Sequence, residues 1–436
     1  MVDSVTRAHA LWHPYTKGGI EDDVPHITKA EGVWLYDETG KRYMDVIGSW
    51  WVNLHGHSHP TLVEALQRQA RTLDHIAFAG ATHQGALDVA RRLVDAVGAP
   101  FERVFFSDNG STAVEVALKM AWQYWHNQGE RRQRFMAFQG GYHGDTLGAM
   151  SAGFSCGFYE PFASMVFPFD FVPYPASWHG VNDEEEREAH ALSCLVQQLE
   201  AHKGQLAAII IEPLVQGAAG MRMCSPRFLE HVVAEAQAQG VLVIFDEVLT
   251  GFYRTGKMFA CDHLQHKPDI ICLAKGLTGG MLPLAATLVS SRVFSAFADT
   301  DPAHSFMHGH SYTANPLGCA VAHASMDLLN TPTTQARIRA IIDVHRERLA
   351  DCAPYAFMRH RRQCGVVVAF ECGTHNDDGH YHHAISKRLR RHYAQQGLWL
   401  RPLGTTLYMV PPYCITDAEL HQAWDIIISV LQKECA

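Results

Sequence analysis

The middle of the chain alternates short apolar runs with segments of helical periodicity, and this rhythm limits the folds open to it. The runs are RVFFSD (103–108), RFMAFQ (134–139), LAAIIIEP (206–213), VLVIFDE (241–247) and DIICLA (269–274). Between them, STAVEVALKMAWQYWHN (111–127) repeats its apolar positions at helical spacing. PRFLEHVVAEAQAQG (226–240) is amphipathic and closes on Gly240. LAAIII is unbroken by polar residues, as expected of a strand covered on both faces. Strands separated by helices predict an α/β fold with a mostly parallel sheet flanked by helices.

The rhythm sets a domain expectation: residues 56–330 form a large domain, and residues 1–55 and 331–436 form a small α+β domain. GVVVAFE, GLWLRPLG and TLYMVPPY read as strands of the small domain, and the helical stretch TQARIRAIIDVHRERLADC links the two parts.

The 436 residues are 47% hydrophobic and 19% charged, enough apolar material for a sizeable core. A formal charge of −9 argues against phosphate-backbone binding, so no nucleic acid partner is expected. MVDSVTRAHALWHPYTKGG has no charged-then-apolar signal pattern, and no apolar stretch reaches the ~18 residues that span a bilayer. The expectation is a cytoplasmic protein without a membrane partner. The 11 cysteines form no C-x-x-C pair, and Cys156, Cys272 and Cys319 read as small core residues in a reducing compartment. The acidic run NDEEEREAH reads as a solvated loop or helix start.

Among 28 histidines, His55, His57 and His59 alternate in LHGHSHP. Gly56 and Pro60 argue for a turn there, and no carboxylate or cysteine set completes a ligand shell. No metal is expected.

Ligands of such sheets sit at the carboxyl ends of the strands. Asp108, Asp246 and Lys275 each close an apolar run, which brings them to one edge. A lone lysine is more often a surface residue. Here the apolar run before Lys275 should desolvate the amine and lower its pKa, and a neutral amine can form a Schiff base with an aldehyde. The glycines behind it leave room for close approach. Asp246 could cap a helix or pair with an arginine, or it could hold a proton on a heteroaromatic nitrogen. Gly110, Ser111 and Thr112 open a helix; they form an ordinary cap or, with the helix dipole, a phosphate cradle. Together the three sites supply what pyridoxal 5'-phosphate needs: a phosphate cradle, a ring-nitrogen partner and an aldehyde trap. In QGGYHGDT, Tyr142 could pack in the core or lie over a pyridine face.

FDEVLTGFYRTGKMFACDH followed by PDIICLAKGLTGG resembles the signature region of the class III, fold type I pyridoxal-phosphate aminotransferases, and the resemblance covers nearly the whole chain. It implies that Lys275 binds the cofactor covalently, Asp246 pairs with the pyridinium nitrogen, Gly110 and Ser111 hold the phosphate and Tyr142 stacks on the ring. LWHPYT, GSWWVNLHGHSHP, YHGDTLGAMS, QGAAGMRM, FMHGHSYTANPLGCA and WLRPLGTTLYMVPPY resemble those members that aminate 8-amino-7-oxononanoate in biotin synthesis, with S-adenosyl-L-methionine as donor.

That closer resemblance implies a substrate pocket of Tyr15, Trp50, Tyr142 and Asp145. Arg401 would bind the substrate carboxylate, Gly309 would contact substrate and Arg254 would help with the donor. In a homodimer, His310 and Ser311 would reach the partner's cofactor phosphate. Aromatic walls with one guanidinium suit a long keto-acid, although Arg401 could also form an internal salt bridge, and of Trp50 and Trp51 at least one could be core. Two departures stand out. HGHSY has His310 and Ser311 where proline and threonine are usual, and Tyr253 replaces a small residue. Competing readings are another class III ω-aminotransferase, of ornithine, 4-aminobutyrate or diaminobutyrate type, and a non-catalytic protein on this fold.

Overall fold

The computed structural model describes residues 11–16, 24–372 and 384–434. Residues 1–10 and 17–23, part of the N-terminal stretch read above as lacking a signal, lie outside the described residues, as do 373–383 and 435–436.

Seven strands form the central sheet: β1 (Phe101–Ser107), β2 (Arg134–Phe138), β3 (Asp170–Val172), β4 (Leu206–Ile211), β5 (Leu242–Asp246), β6 (Ile270–Leu273) and β7 (Ala285–Ser290). Their spatial order is β1-β7-β6-β5-β4-β2-β3. β7 is antiparallel to both its neighbours, and the other pairings are parallel.

Alternation along each strand sorts side chains between two cores. Ile209, Ile211, Val243, Phe245, Ile271 and Leu273 face one core, which includes Phe228, Val232 and Val233 of helix Pro226–Ala238. Ala208, Ile210, Leu242, Ile244, Ile270 and Cys272 face the other, which includes Ala113, Val114, Ala117 and Ala121 of helix Gly110–Asn127. This two-sided burial is why β4, β5 and β6 carry no polar residue before their ends. Replacing an isoleucine in such a core by alanine costs about 2–5 kcal/mol.

β3 and β7 have no counterpart in the sequence reading. β3 is only three residues long. β7 (AATLVS) opens with two alanines, which carry little strand propensity.

Segments from both ends of the chain build two further sheets. Ile27–Glu31, Trp34–Asp37 and Arg42–Asp45 form an antiparallel meander, and Leu398–Trp399 adds in parallel, with Leu398 opposite Met44 and Trp399 opposite Asp45. Arg359–Cys364, Val367–Glu371 and Thr406–Met409 form a three-stranded antiparallel sheet. The linking helix spans Pro332–Asp351. Arg401, read above as lying within a strand, follows the end of the short strand Leu398–Trp399. Among the described residues no helix is long and apolar enough to cross a membrane.

Candidate active site

The carboxyl ends of β1, β2, β4, β5 and β6 open onto one cleft of about 460 Å³. Each strand hands over a polar residue as its buried run ends. β5 ends on Asp246, β4 is followed by Glu212, and β6 is followed by Ala274 and then Lys275.

Lys275 lies half-buried on the cleft floor with a left-handed φ of 35°. Its amine stands 5.1 Å from the centre of the Trp51 ring. Burial pushes its pKa below the ordinary 10.5, while Asp246 and Glu212 oppose that shift. The glycines behind it serve the protein's own backbone. A Cβ on Gly280 would come within 2.8–2.9 Å of Val52 and Asn53 main-chain atoms, and one on Gly276 would press on Leu54 and Phe252. Gly280 and Val52 nevertheless both line the cleft, so close approach there is shared between the segment from Val52 to Leu54 and the open slot.

Asp246 is 4% exposed. One carboxylate oxygen lies 2.8 Å from His143 Nδ1, and the other accepts the Val248 N–H at 3.1 Å. With the carboxylate as acceptor, Nδ1 carries the proton. Glu212 sits behind this pair and accepts N–H bonds from Tyr142 (2.9 Å) and Gly217 (3.0 Å). Burial pushes its pKa up to about 7, with His143 acting in the opposite direction. The sequence reading missed His143 and Glu212 as site residues. Glu212 carries the same signal as Asp246, a carboxylate directly after a buried run.

At the other end of the cleft, helix Gly110–Asn127 begins. Asn109 and Thr112 form a reciprocal capping box. Gly110 and Ser111 occupy the first turn, whose N–H groups have no acceptor within the helix. Ser111 Oγ accepts the Asp145 N–H at 3.1 Å. A side chain at Gly110 would strike Val248 at 2.8 Å, so only glycine lets the helix start approach this wall.

The outer wall joins residues distant in sequence. Tyr15 Oη donates to Asp145 at 2.8 Å and lies 3.3 Å from Tyr142 Oη. Tyr159 Oη donates to the other Asp145 oxygen at 2.9 Å. The Tyr15 ring meets Trp50 edge-on at 5.7 Å, and the Arg401 guanidinium lies 4.8 Å from the Trp50 ring centre. Trp50 is exposed, whereas Trp51 is buried, joins the core and also lines the cleft. The Trp51 indole N–H is buried without a partner among the described residues.

Two expected site groups stand elsewhere. Gly309 and Ser311 are exposed, and His310 Nδ1 lies 3.6 Å from Asp108 at the cleft's edge. Arg254, expected to help with the donor, is only 1% exposed. It donates to the main-chain oxygens of Trp51 (3.3 Å), Asn53 (2.9 Å) and Pro411 (2.9 Å). Both terminal guanidinium nitrogens are thus engaged by main-chain oxygens behind the wall.

The residues fit pyridoxal phosphate. A helix start whose first two N–H groups lack acceptors within the helix, a buried carboxylate steadied by an imidazole and a desolvated lysine share one slot.

The family model described as aminotransferase class-III matches residues 20–431. The adenosylmethionine-8-amino-7-oxononanoate aminotransferase of Synechococcus elongatus is 47% identical, covering 97% of this chain and 98% of that protein. The protein of the same name from Geobacter sulfurreducens is 37% identical, covering 97% and 95%. A crystal structure of the protein of that name from Methanocaldococcus jannaschii superposes with a TM-score of 0.89 at 32% identity, covering 97% of each chain. A PLP-bound amine transaminase from an uncultivated Pseudomonas species gives 0.90 at 29% identity, covering 98% and 99%.

Proposed function

Because the chain belongs to the class-III aminotransferases, which are pyridoxal-phosphate enzymes, we propose that it aminates 8-amino-7-oxononanoate to 7,8-diaminononanoate with S-adenosyl-L-methionine as donor. The observation that carries this reading is the run of contacts Asp145–Tyr15–Trp50–Arg401 beside Lys275. It supplies aromatic surface for an apolar chain and a guanidinium for its terminal carboxylate. The 47% identity over nearly the full chain supports the same substrate.

When bound, the cofactor supplies an aldehyde that captures amines and a ring that takes up the electron pair left by a departing proton. Gly110 and Ser111 would hold its phosphate, Tyr142 its face and Asp246 its ring nitrogen. Lys275 would hold it covalently. His143 orients the Asp246 carboxylate and keeps it able to favour a protonated nitrogen. Lys275 Nζ would be the base that takes the donor's Cα proton and gives it back, a role that burial favours by lowering the amine's pKa. Arg401 anchors the keto-acid carboxylate, and Tyr15 with Trp50 lines its chain. Tyr15 and Asp145 hold the wall in place through their hydrogen bond.

The working unit in this proposal is a homodimer in the cytoplasm, with His310 and Ser311 of one copy completing the phosphate site of the other and Gly309 touching substrate. Met307 and Tyr312 on the same loop are 83% and 60% exposed, as a surface awaiting a second copy would be. The test is product formation by mass spectrometry. Protein loaded with pyridoxal phosphate should yield diaminononanoate from the oxononanoate with adenosylmethionine. Turnover of the oxononanoate with lysine but not with adenosylmethionine would reject the donor, and turnover of ornithine or 4-aminobutyrate with a 2-oxo acid as acceptor, but not of the oxononanoate, would reject the substrate.

A further inference from the structure

Gly48, Ser49, Trp50 and Trp51 run through four consecutive positive φ angles, 54°, 45°, 76° and 73°. Three of these residues carry side chains, for which left-handed backbone is sterically unfavourable. Such a turn persists only where its surroundings over-determine it.

Part of the support is local. Trp51 N–H reaches Ile47 O at 2.8 Å, and Asp45 accepts the Ile47 N–H (3.1 Å) and the Ser49 hydroxyl (2.8 Å). His57 Nε2 lies 2.9 Å from the same Asp45 oxygen that takes Ser49. The rest comes from Arg254. One of its nitrogens grips the oxygens of Trp51 and Asn53 at the exit of the turn, and the other grips Pro411 O. Its guanidinium lies over the Tyr413 ring at 5.2 Å, and the Tyr413 hydroxyl donates to Phe252 O. Arg254 thus fastens segments around residues 51, 254 and 411. The turn it fastens carries Trp51, beside the Lys275 amine, and Trp50, between Tyr15 and Arg401.

We infer that Arg254 is a positioning residue that locks this left-handed turn, so that Trp50 and Trp51 are held in the cleft wall, and that it acts on substrate only through them. The inference deepens the proposed function and rests on its assignment of the wall to substrate. A bidentate fork suits the task; a lysine ammonium is a single point and cannot span the same carbonyls.

The experiment compares wild type, Arg254→Lys and Arg254→Met, all loaded with cofactor. Amide hydrogen exchange in a peptide covering residues 46–54 should rise at least tenfold in both variants, while peptides from β5 and β6 keep wild-type rates. KM should rise by roughly tenfold for the oxononanoate and, by the same factor, for its uncharged carboxamide, with a smaller change in kcat. Unchanged exchange at 46–54, or a KM penalty confined to the carboxylate form, would overturn the inference and make Arg254 a direct contact. If Arg254→Met does not fold, Arg254→Lys decides alone by the same criteria. A wild type that ignores the oxononanoate rejects the proposed substrate, whereas the exchange measurement, which uses no substrate, still judges the lock.

Discussion

The floor and the outer wall of the cleft are built in opposite ways. The floor residues Glu212, Asp246 and Lys275 each stand at the end of a fully buried strand, and neighbouring parallel strands fix their spacing. The wall residues Tyr15, Trp50 and Arg401 stand on a loop, a left-handed turn and the residues after a two-residue strand. Their side chains meet across these segments, of which those of Trp50 and Arg401 are also joined where Trp399 pairs with Asp45. Chemistry common to a family needs the rigid arrangement. Discrimination between substrates resides in the assembled one, where a change of loop leaves the sheet intact.

Substitutions should separate the two. Lys275→Ala removes the base and the covalent anchor, so kcat should fall by about 10⁴-fold or more in steady-state assays. Asp246→Asn keeps the shape but not the charge, and kcat should drop roughly 10²–10³-fold with KM little changed. On the wall the pattern should invert. Arg401→Met should raise KM for the keto-acid by about 10–100-fold, the worth of a lost charged hydrogen bond, with kcat nearly intact. A kcat loss matching that of Lys275→Ala would erase the division between floor and wall.

The smallest effect at neutral pH belongs to the packed helices Pro332–Asp351 and Asp417–Glu434. His345 is fully buried and accepts the Trp424 indole N–H at 3.1 Å, and burial pulls its pKa from 6.5 to about 3. Between those values the unfolded chain takes up a proton that the folded chain refuses. Stability should therefore fall as pH drops from 6.5 towards 3, by up to ~1.4 kcal/mol per pH unit from this group. His345→Gln should flatten that limb in denaturant titrations and leave turnover at pH 7 unchanged. A slope identical to wild type would show that His345 titrates normally.

The same contrast explains what the sequence disclosed. Asp246 and Lys275 were legible because a polar residue ending an apolar run is a local pattern, and Glu212 follows it too although it was passed over. Most of the strands of the main sheet were legible for the same reason, and β7, with its two leading alanines, was not. Tyr15, Trp50 and Arg401 came from resemblance; no local pattern joins positions hundreds of residues apart. Arg254 shows the limit. The resemblance implied a role with the donor, but three main-chain oxygens supplied by distant segments decide where the guanidinium lies. His143 was hidden because its partner, Asp246, lies 103 residues away.

Borohydride reduction of the cofactor-loaded protein, followed by digestion and mass mapping, tests the role of Lys275 most directly. The predicted result is a cofactor mass fixed on the peptide that contains Lys275, and absent from Lys275→Ala. A cofactor mass on another lysine, or on no peptide at all, would contradict it.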